Sequence, residues 1–322
     1  MRPHTLGGWL LVGWLAFQPA WAGSLTVLFL ASGESFFHGM RGLPLWPSET
    51  RSASRSITTR AGETLYGFIA ASTPRKALTA NPSATLAGYC QPDRTDVIVA
   101  FDEAAAQAVA QECTVPLLVV RVSRQQVAAL RVLPLRDRTS ALYLEAEPRL
   151  NLQLMRVLLP EARTVGVWVA TPTPAWLSPL RAEAQRLQLT LEEMVVSDDL
   201  EAVRALRPRL TRLDAVLLPP DLTLINEWSL KPLLLMTVRQ GVPVFGGLTA
   251  RYVEAGVLAA VVADEARGSE QMQRFIDELA QGRTPAPAYP TAVRVVINAT
   301  MAQTLGVSAE ALVRARSLFP RY

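Results

Sequence analysis

Histidine is scarce in this chain: two are present in 322 residues, His4 and His38. His4 lies in an apolar leader, so His38 stands alone. A single imidazole cannot build a histidine-rich metal site or a two-histidine active centre. A serine triad would have to recruit His38, yet Ser32-Gly33-Glu34-Ser35 is not the Gly-x-Ser-x-Gly turn that exposes a nucleophile. The one glycine of Ala31-Ser32-Gly33 falls short of a dinucleotide fingerprint, and no phosphate-binding loop with its lysine occurs. The carboxylate pairs Glu192-Glu193 and Asp198-Asp199 sit where a strand ends or a helix begins, and a solvated surface accounts for them. The chain reads as a non-enzyme, with no metal and no cofactor implied.

What remains is a set of carboxylates, hydroxyls and rings that each follow an apolar run. Ser32, Asp102 and Ser123 belong to the first half, and Thr171, Trp176, Asp221, Thr249 and Tyr252 to the second. Together they suit a small polar molecule bearing a ring or an amine, with an amino-acid-like ligand as the best match. Each also has a plain structural reading. Asp102 suits the N-cap of the next helix, Asp221 a helix start, Thr171 a turn between prolines, Trp176 surface packing and Tyr252 hinge packing.

The elements that would position these residues follow from periodicity. Short apolar runs at 25–30, 96–101, 116–122, 164–169, 191–196, 215–218, 242–245 and 292–297 read as buried strands. Segments of helical period lie at 103–111, 149–158, 176–187, 199–210, 227–239 and 265–280. This alternation is the signature of a mostly parallel sheet covered by helices, whose ligands bind at the carboxyl ends of the strands. Residues 65–71 fit a strand or a helix end, 84–89 a short helix, and 39–56 hold no period. Residues 241–256, GVPVFGGLTARYVEAG, end a strand through two glycines that permit a sharp turn, leaving Thr249, Arg251 and Tyr252 at its carboxyl end.

Length suggests two lobes. The charged stretch 121–139, with Pro134, reads as one crossing between them, the run from Val257 as a return, and the proline-rich 282–290, GRTPAPAYP, as a third crossing. The first lobe is then 23–138 plus 257–283, the second 139–256 plus 284–322.

The formal charge is +4, and the basic residues are scattered among acids, so a nucleic-acid partner is not indicated. Arg2, the apolar run 6–17 and Ala20-Trp21-Ala22 fit a signal peptide, residues 1–22, cleaved after Ala22 to release a periplasmic product. An uncleaved N-terminal anchor is the alternative. No cysteine follows the cleavage site to carry a lipid. Cys90 and Cys113 each precede a predicted strand of one strand–helix–strand unit, so they share a sheet edge and a disulfide is favoured over two buried free thiols.

The stretch LDAVLLPPD from Leu213, the glycine–tyrosine turn and INATMAQTLGV at 297–307 resemble the substrate-binding-protein-like family of ABC transporters. That resemblance covers roughly 95–312. It implies the periplasmic binding protein type I fold, two Rossmann-like α/β lobes joined by a three-crossing hinge. It also implies a monomeric extracytoplasmic protein that captures a small molecule between its lobes and presents it to a membrane permease. Characterised relatives bind aromatic amino acids. Members usually carry Gly-Asp-Pro-Val after the third of these strands, where this chain has Val122-Ser123-Arg124-Gln125-Gln126. That departure leaves room for a sensor or assembly component of the same fold that binds a protein.

Overall fold

The structure, a computed structural model, describes residues 25–33, 55–71, 85–91, 93–130, 136–265 and 267–319. The expected leader with its cleavage site, and His38, lie outside the described residues.

In chain order the strands are β1 (Thr26–Ala31), β2 (Arg55–Thr58), β3 (Thr64–Ala71), β4 (Val97–Ala100), β5 (Leu117–Val122), β6 (Thr139–Tyr143), β7 (Thr164–Val169), β8 (Thr190–Val195), β9 (Ala215–Leu218), β10 (Val244–Gly246), β11 (Ala259–Ala263) and β12 (Val293–Ile297). The helices are α1 (Leu86–Tyr89), α2 (Glu103–Glu112), α3 (Arg124–Leu130), α4 (Arg149–Leu158), α5 (Leu177–Arg186), α6 (Asp199–Leu206), α7 (Glu227–Arg239), α8 (Ala250–Ala255), α9 (Ser269–Ala280), α10 (Ala299–Thr304) and α11 (Ala309–Arg316).

The strands form two six-stranded sheets, β2-β3-β1-β4-β5-β6 and β12-β11-β10-β9-β7-β8. Pairing is parallel except at β2–β3, β3–β1 and β11–β12. Helices cover both faces of each sheet, so central strands are apolar on both sides and show no polar alternation. In β1, Leu28 and Leu30 pack toward α2 and α3, while Val27 and Phe29 pack toward Met272, Phe275, Ile276 and Leu279 of α9. Each such side chain contributes about 1.5–3 kcal/mol on full burial, so these alternating rows hold the layers together.

Sheet membership moves two expected boundaries. Strand β6 is an edge strand of the first sheet, paired with β5, and β11 lies inside the second, between β10 and β12. The first crossing therefore runs from β6 to α4, after Tyr143 and not at Thr139. The second runs from β11 to α9, after Ala263 and not before Val257. Helix α9 follows a strand of the second sheet yet packs on the first. From α9 the chain returns through a stretch in which Ala288 bridges Leu142 of β6, and then enters β12. Residues 124–130, which show no clear period, form α3, and the turn expected after Gly247 continues as the short helix α8. Both are too short for periodicity to reveal.

Cys90 and Cys113 form a disulfide with Cα atoms 5.1 Å apart, at the shared edge that the strand–helix–strand geometry implies. Among the described residues no helix is long and apolar enough to cross a membrane.

Candidate functional site

In the first lobe the loops at the carboxyl ends of β1, β4 and β5 are stitched together by side chains. Asp102 is the N-cap of α2, its Oδ1 accepting from the Ala105 N–H at 2.8 Å. Its Oδ2 accepts from the Ser32 N–H at 2.6 Å, so both oxygens are occupied by backbone donors. Ser123 is buried and opens α3. Its hydroxyl donates to Gln126 Oε1 at 2.8 Å, and Gln126 Nε2 donates to Glu103 Oε2 at 2.7 Å. These side chains set the walls of the loops, while Ser32 remains exposed.

The second lobe divides its candidates in the same way. Trp176 is only 7% exposed and packs into the core with Leu177 and Leu180, so it offers no ring face to solvent. Asp221 is buried and closes its own turn, accepting from the Thr223 N–H at 2.9 Å and the Thr223 hydroxyl at 2.6 Å. Thr171 is exposed beyond β7, its peptide bond to Pro172 cis. Thr249 occupies the N-cap position of α8, where its side chain makes no capping bond.

Tyr252 owes its position to glycine. Gly246 and Gly247 have φ of +89° and +106°, and a Cβ on Gly247 would lie 2.5 Å from Tyr252 Cγ. The half-buried ring thus rests directly on the turn backbone, at the margin of the core around Val253 and Val257. Asn298 fixes the same corner: its Nδ2 donates to the Val253 carbonyl at 2.9 Å, and its Oδ1 caps α10 through the Met301 N–H at 3.0 Å. Two of the three stretches that carry the family resemblance, 241–256 and 297–307, therefore meet in space.

A cluster at the crossings escaped sequence reasoning. The Arg124 N–H donates to Glu145 Oε1 at 2.9 Å, and Arg124 Nη1 donates to the Tyr289 hydroxyl at 3.1 Å. The guanidinium carbon lies 5.8 Å from the Tyr143 ring centroid and 5.6 Å from that of Tyr289, within cation–π range. The two rings meet edge to face at 5.1 Å. Burial pushes the Glu145 carboxyl up to about 7, against the Arg124 N–H that favours its charged form. Burial likewise pushes Tyr289 up to about 12. Burial opposes the charge of Arg124, but Tyr289, Tyr143 and Glu145 together carry its pKa above the ordinary guanidinium value. Nearby, Arg121, at φ +59° beside the irregularity between Val120 and Val122, reaches Glu265 of the second crossing at 2.9 Å. The sequence signal is Glu145 just beyond the five-residue stretch 139–143, to which periodicity assigns no element.

A groove of about 330 Å³ lies at the opposite edge of the first sheet, lined by residues that include Thr95, Asp96, Thr114, Pro116, Arg138 and Thr284. It sits at the amino ends of β4, β5 and β6, away from every candidate above. Among the described residues no group of three or more His, Cys, Asp or Glu side chains could hold a metal ion.

No protein-family model matches this chain, and no curated protein does. Solved structures do. A conserved domain protein from Vibrio cholerae is 20% identical over 69% of this chain and 78% of its own, with a TM-score of 0.52. The ABC domain from Streptococcus pneumonia in complex with L-Trp is 21% identical over 69% and 80%, TM-score 0.53. A substrate-binding protein with adhesive properties from Clostridium difficile, in a ligand-free open structure, is 18% identical over 69% and 77%, TM-score 0.51. With its two mostly parallel sheets, helices on both faces and three crossings, the chain has the two-lobed α/β fold of the type I periplasmic binding proteins.

Proposed function

We propose that this protein is an extracytoplasmic solute-binding protein that closes its two lobes on a small molecule. The carrying observation is topological: the chain crosses between the sheets three times, which suits a hinge, and an α/β sheet offers ligands the carboxyl ends of its strands. Ser32 from the first lobe and Thr171, Thr249 and Tyr252 from the second supply the contacts, and Asp102, Ser123, Trp176 and Asp221 hold the loops and the core behind them. Hydroxyls around an aromatic face suit an amino-acid-like ligand, and the L-Trp bound to the Streptococcus pneumonia neighbour is in keeping with that class. In this reading the leader is cleaved after Ala22, the mature monomer works in the periplasm, its partner is an ABC permease, and neither catalysis nor nucleic acid is involved.

A thermal-shift screen of amino acids, purines and small organic acids on the mature protein tests this. A ligand at a hundred times its dissociation constant adds about 2.7 kcal/mol of stability, and Tyr252→Ala should abolish the shift. A broad screen without a shift would count against solute capture.

A second reading, a sensor or assembly component that binds a protein, is favoured by one surface. Trp228, Leu235 and Val238 lie on one side of α7 with exposures of 87%, 53% and 39%. Photo-crosslinking from position 228 in cells would trap a partner if that face is an interface.

A further inference from the structure

The groove at the amino-end edge of the first sheet carries charge of both signs. Its volume of about 330 Å³ lies within the range of small-molecule sites. Arg138, just before β6, is exposed and donates from Nη1 to the Thr114 carbonyl at 3.1 Å. A guanidinium has five N–H donors, so that bond leaves others for a ligand. Asp96, just before β4, accepts from the Thr26 N–H at 2.7 Å through Oδ2, and one backbone bond does not exhaust the lone pairs of a carboxylate. Helix α9 ends at the same groove: Ala280 lines it, and no basic side chain in the last turn offsets the partial negative charge of the terminal carbonyls. Val115, Pro116 and Leu279 give the groove an apolar wall. Thr95 lines it as well, 1% exposed, with a hydroxyl that has no hydrogen-bond partner, so the polar lining is not satisfied from within the protein.

We propose that this groove is a second ligand site, which takes a small zwitterion of amino-acid size: its carboxylate meets Arg138, its ammonium meets Asp96 and the end of α9, and its aliphatic part lies on Val115, Pro116 and Leu279. Strands β4 and β6 flank β5, so at the usual strand spacing the residues that precede them stand about 10 Å apart along the sheet edge. A molecule seated before β5 thus lies between the two charges. A ligand of one sign would gain from one of them and be opposed by the other, whereas a zwitterion makes a charge-assisted bond at each end. The site lies at the amino ends of the strands, so it stands whether or not the carboxyl ends bind a solute.

The probe is L-leucine, titrated into the isotope-labelled mature full chain and followed by the amide resonances of Asp96, Thr114 and Val115, while those of Thr249 and Tyr252 report the carboxyl-end site separately. Saturable shifts are expected at the first three. Isocaproate lacks the ammonium and isoamylamine the carboxylate, so each should bind about tenfold or more weakly for the loss of one charge-assisted contact. Arg138→Gln keeps a donor for the Thr114 carbonyl and Asp96→Asn an acceptor for the Thr26 N–H, and each should weaken L-leucine binding by about tenfold with the spectrum otherwise retained. No shift at Asp96, Thr114 and Val115 with about 20 mM L-leucine, a concentration that detects millimolar affinity, overturns the site. Shifts confined to Thr249 and Tyr252 overturn it too, while leaving solute capture at the carboxyl ends standing. Binding of isocaproate or isoamylamine as tight as that of L-leucine overturns the zwitterion, as does unaltered affinity in either variant.

Discussion

Gly247→Ala carries two separable costs that can be worked from the turn itself. The residue has φ of +106°, and an added Cβ would lie 2.5 Å from Tyr252 Cγ, 2.7 Å from its Cβ and 2.8 Å from its Cδ1. The backbone cost of holding an L residue at positive φ is about 1–2 kcal/mol. The steric cost of forcing the ring and the start of α8 away is that of overpacking, about 1–3 kcal/mol. Their sum is about 2–5 kcal/mol. A control lies in the same stretch: Gly241 has φ of +69° and nothing within 4 Å of its would-be Cβ, so Gly241→Ala should cost the backbone contribution alone. Urea unfolding of the two variants, followed by far-ultraviolet dichroism at a common slope, measures the difference. We expect Gly247→Ala to lose about 2 kcal/mol more than Gly241→Ala, the middle of the overpacking range. Equal losses would refute the packing of Tyr252 on the glycine backbone, and with it the reason for placing that ring at the site.

Two further predictions concern stability. The Glu145 carboxyl is raised from 4.5 to about 7 in the fold, so the folded state holds its proton where the unfolded chain has released it. Stability from this group is therefore full below about pH 4.5 and is lost as pH rises to about 7, on the order of 3 kcal/mol at about 1.4 kcal/mol per pH unit. Denaturation across that window should show the decline in wild type and a flat profile in Glu145→Gln, and matching slopes in both would sink the assignment. Reduction of the Cys90–Cys113 bridge, whose partners are 23 residues apart, should cost about 3 kcal/mol by the chain-entropy estimate. Thiol counting on denatured, unreduced protein should find no free thiol, and two would exclude the bridge.

Most of the elements were legible in the sequence because parallel strands buried on both faces read as unbroken apolar runs, and the helices between them keep a 3.6-residue period. The runs at 164–169 and 215–218 correspond residue for residue to β7 and β9. The disulfide edge followed from strand direction alone, and the need for glycine before Tyr252 from the sharpness of the turn. Thr139–Tyr143 was missed because TSALY, five residues beside a charged segment, has no length in which to show a pattern.

Which sheet a strand joins is another matter. Val257–Ala263 is equally apolar whichever lobe receives it, and only pairing with β10 and β12 decides. The same holds for side chains at strand ends. An aspartate after a strand has the same composition whether its oxygens meet a ligand or two backbone N–H groups, as those of Asp102 do. Whether Trp176 stacks on a solute or fills a core depends on neighbours far away in the chain. The sequence by itself determined the α/β alternation, the turn chemistry and the cysteine geometry, because these rest on local periodicity and chirality. The tertiary structure alone decided which sheet each strand joins and the cluster of Arg124, Tyr143, Glu145 and Tyr289, because these depend on contacts between segments distant in the chain, as Arg124 and Tyr289, 165 residues apart, are.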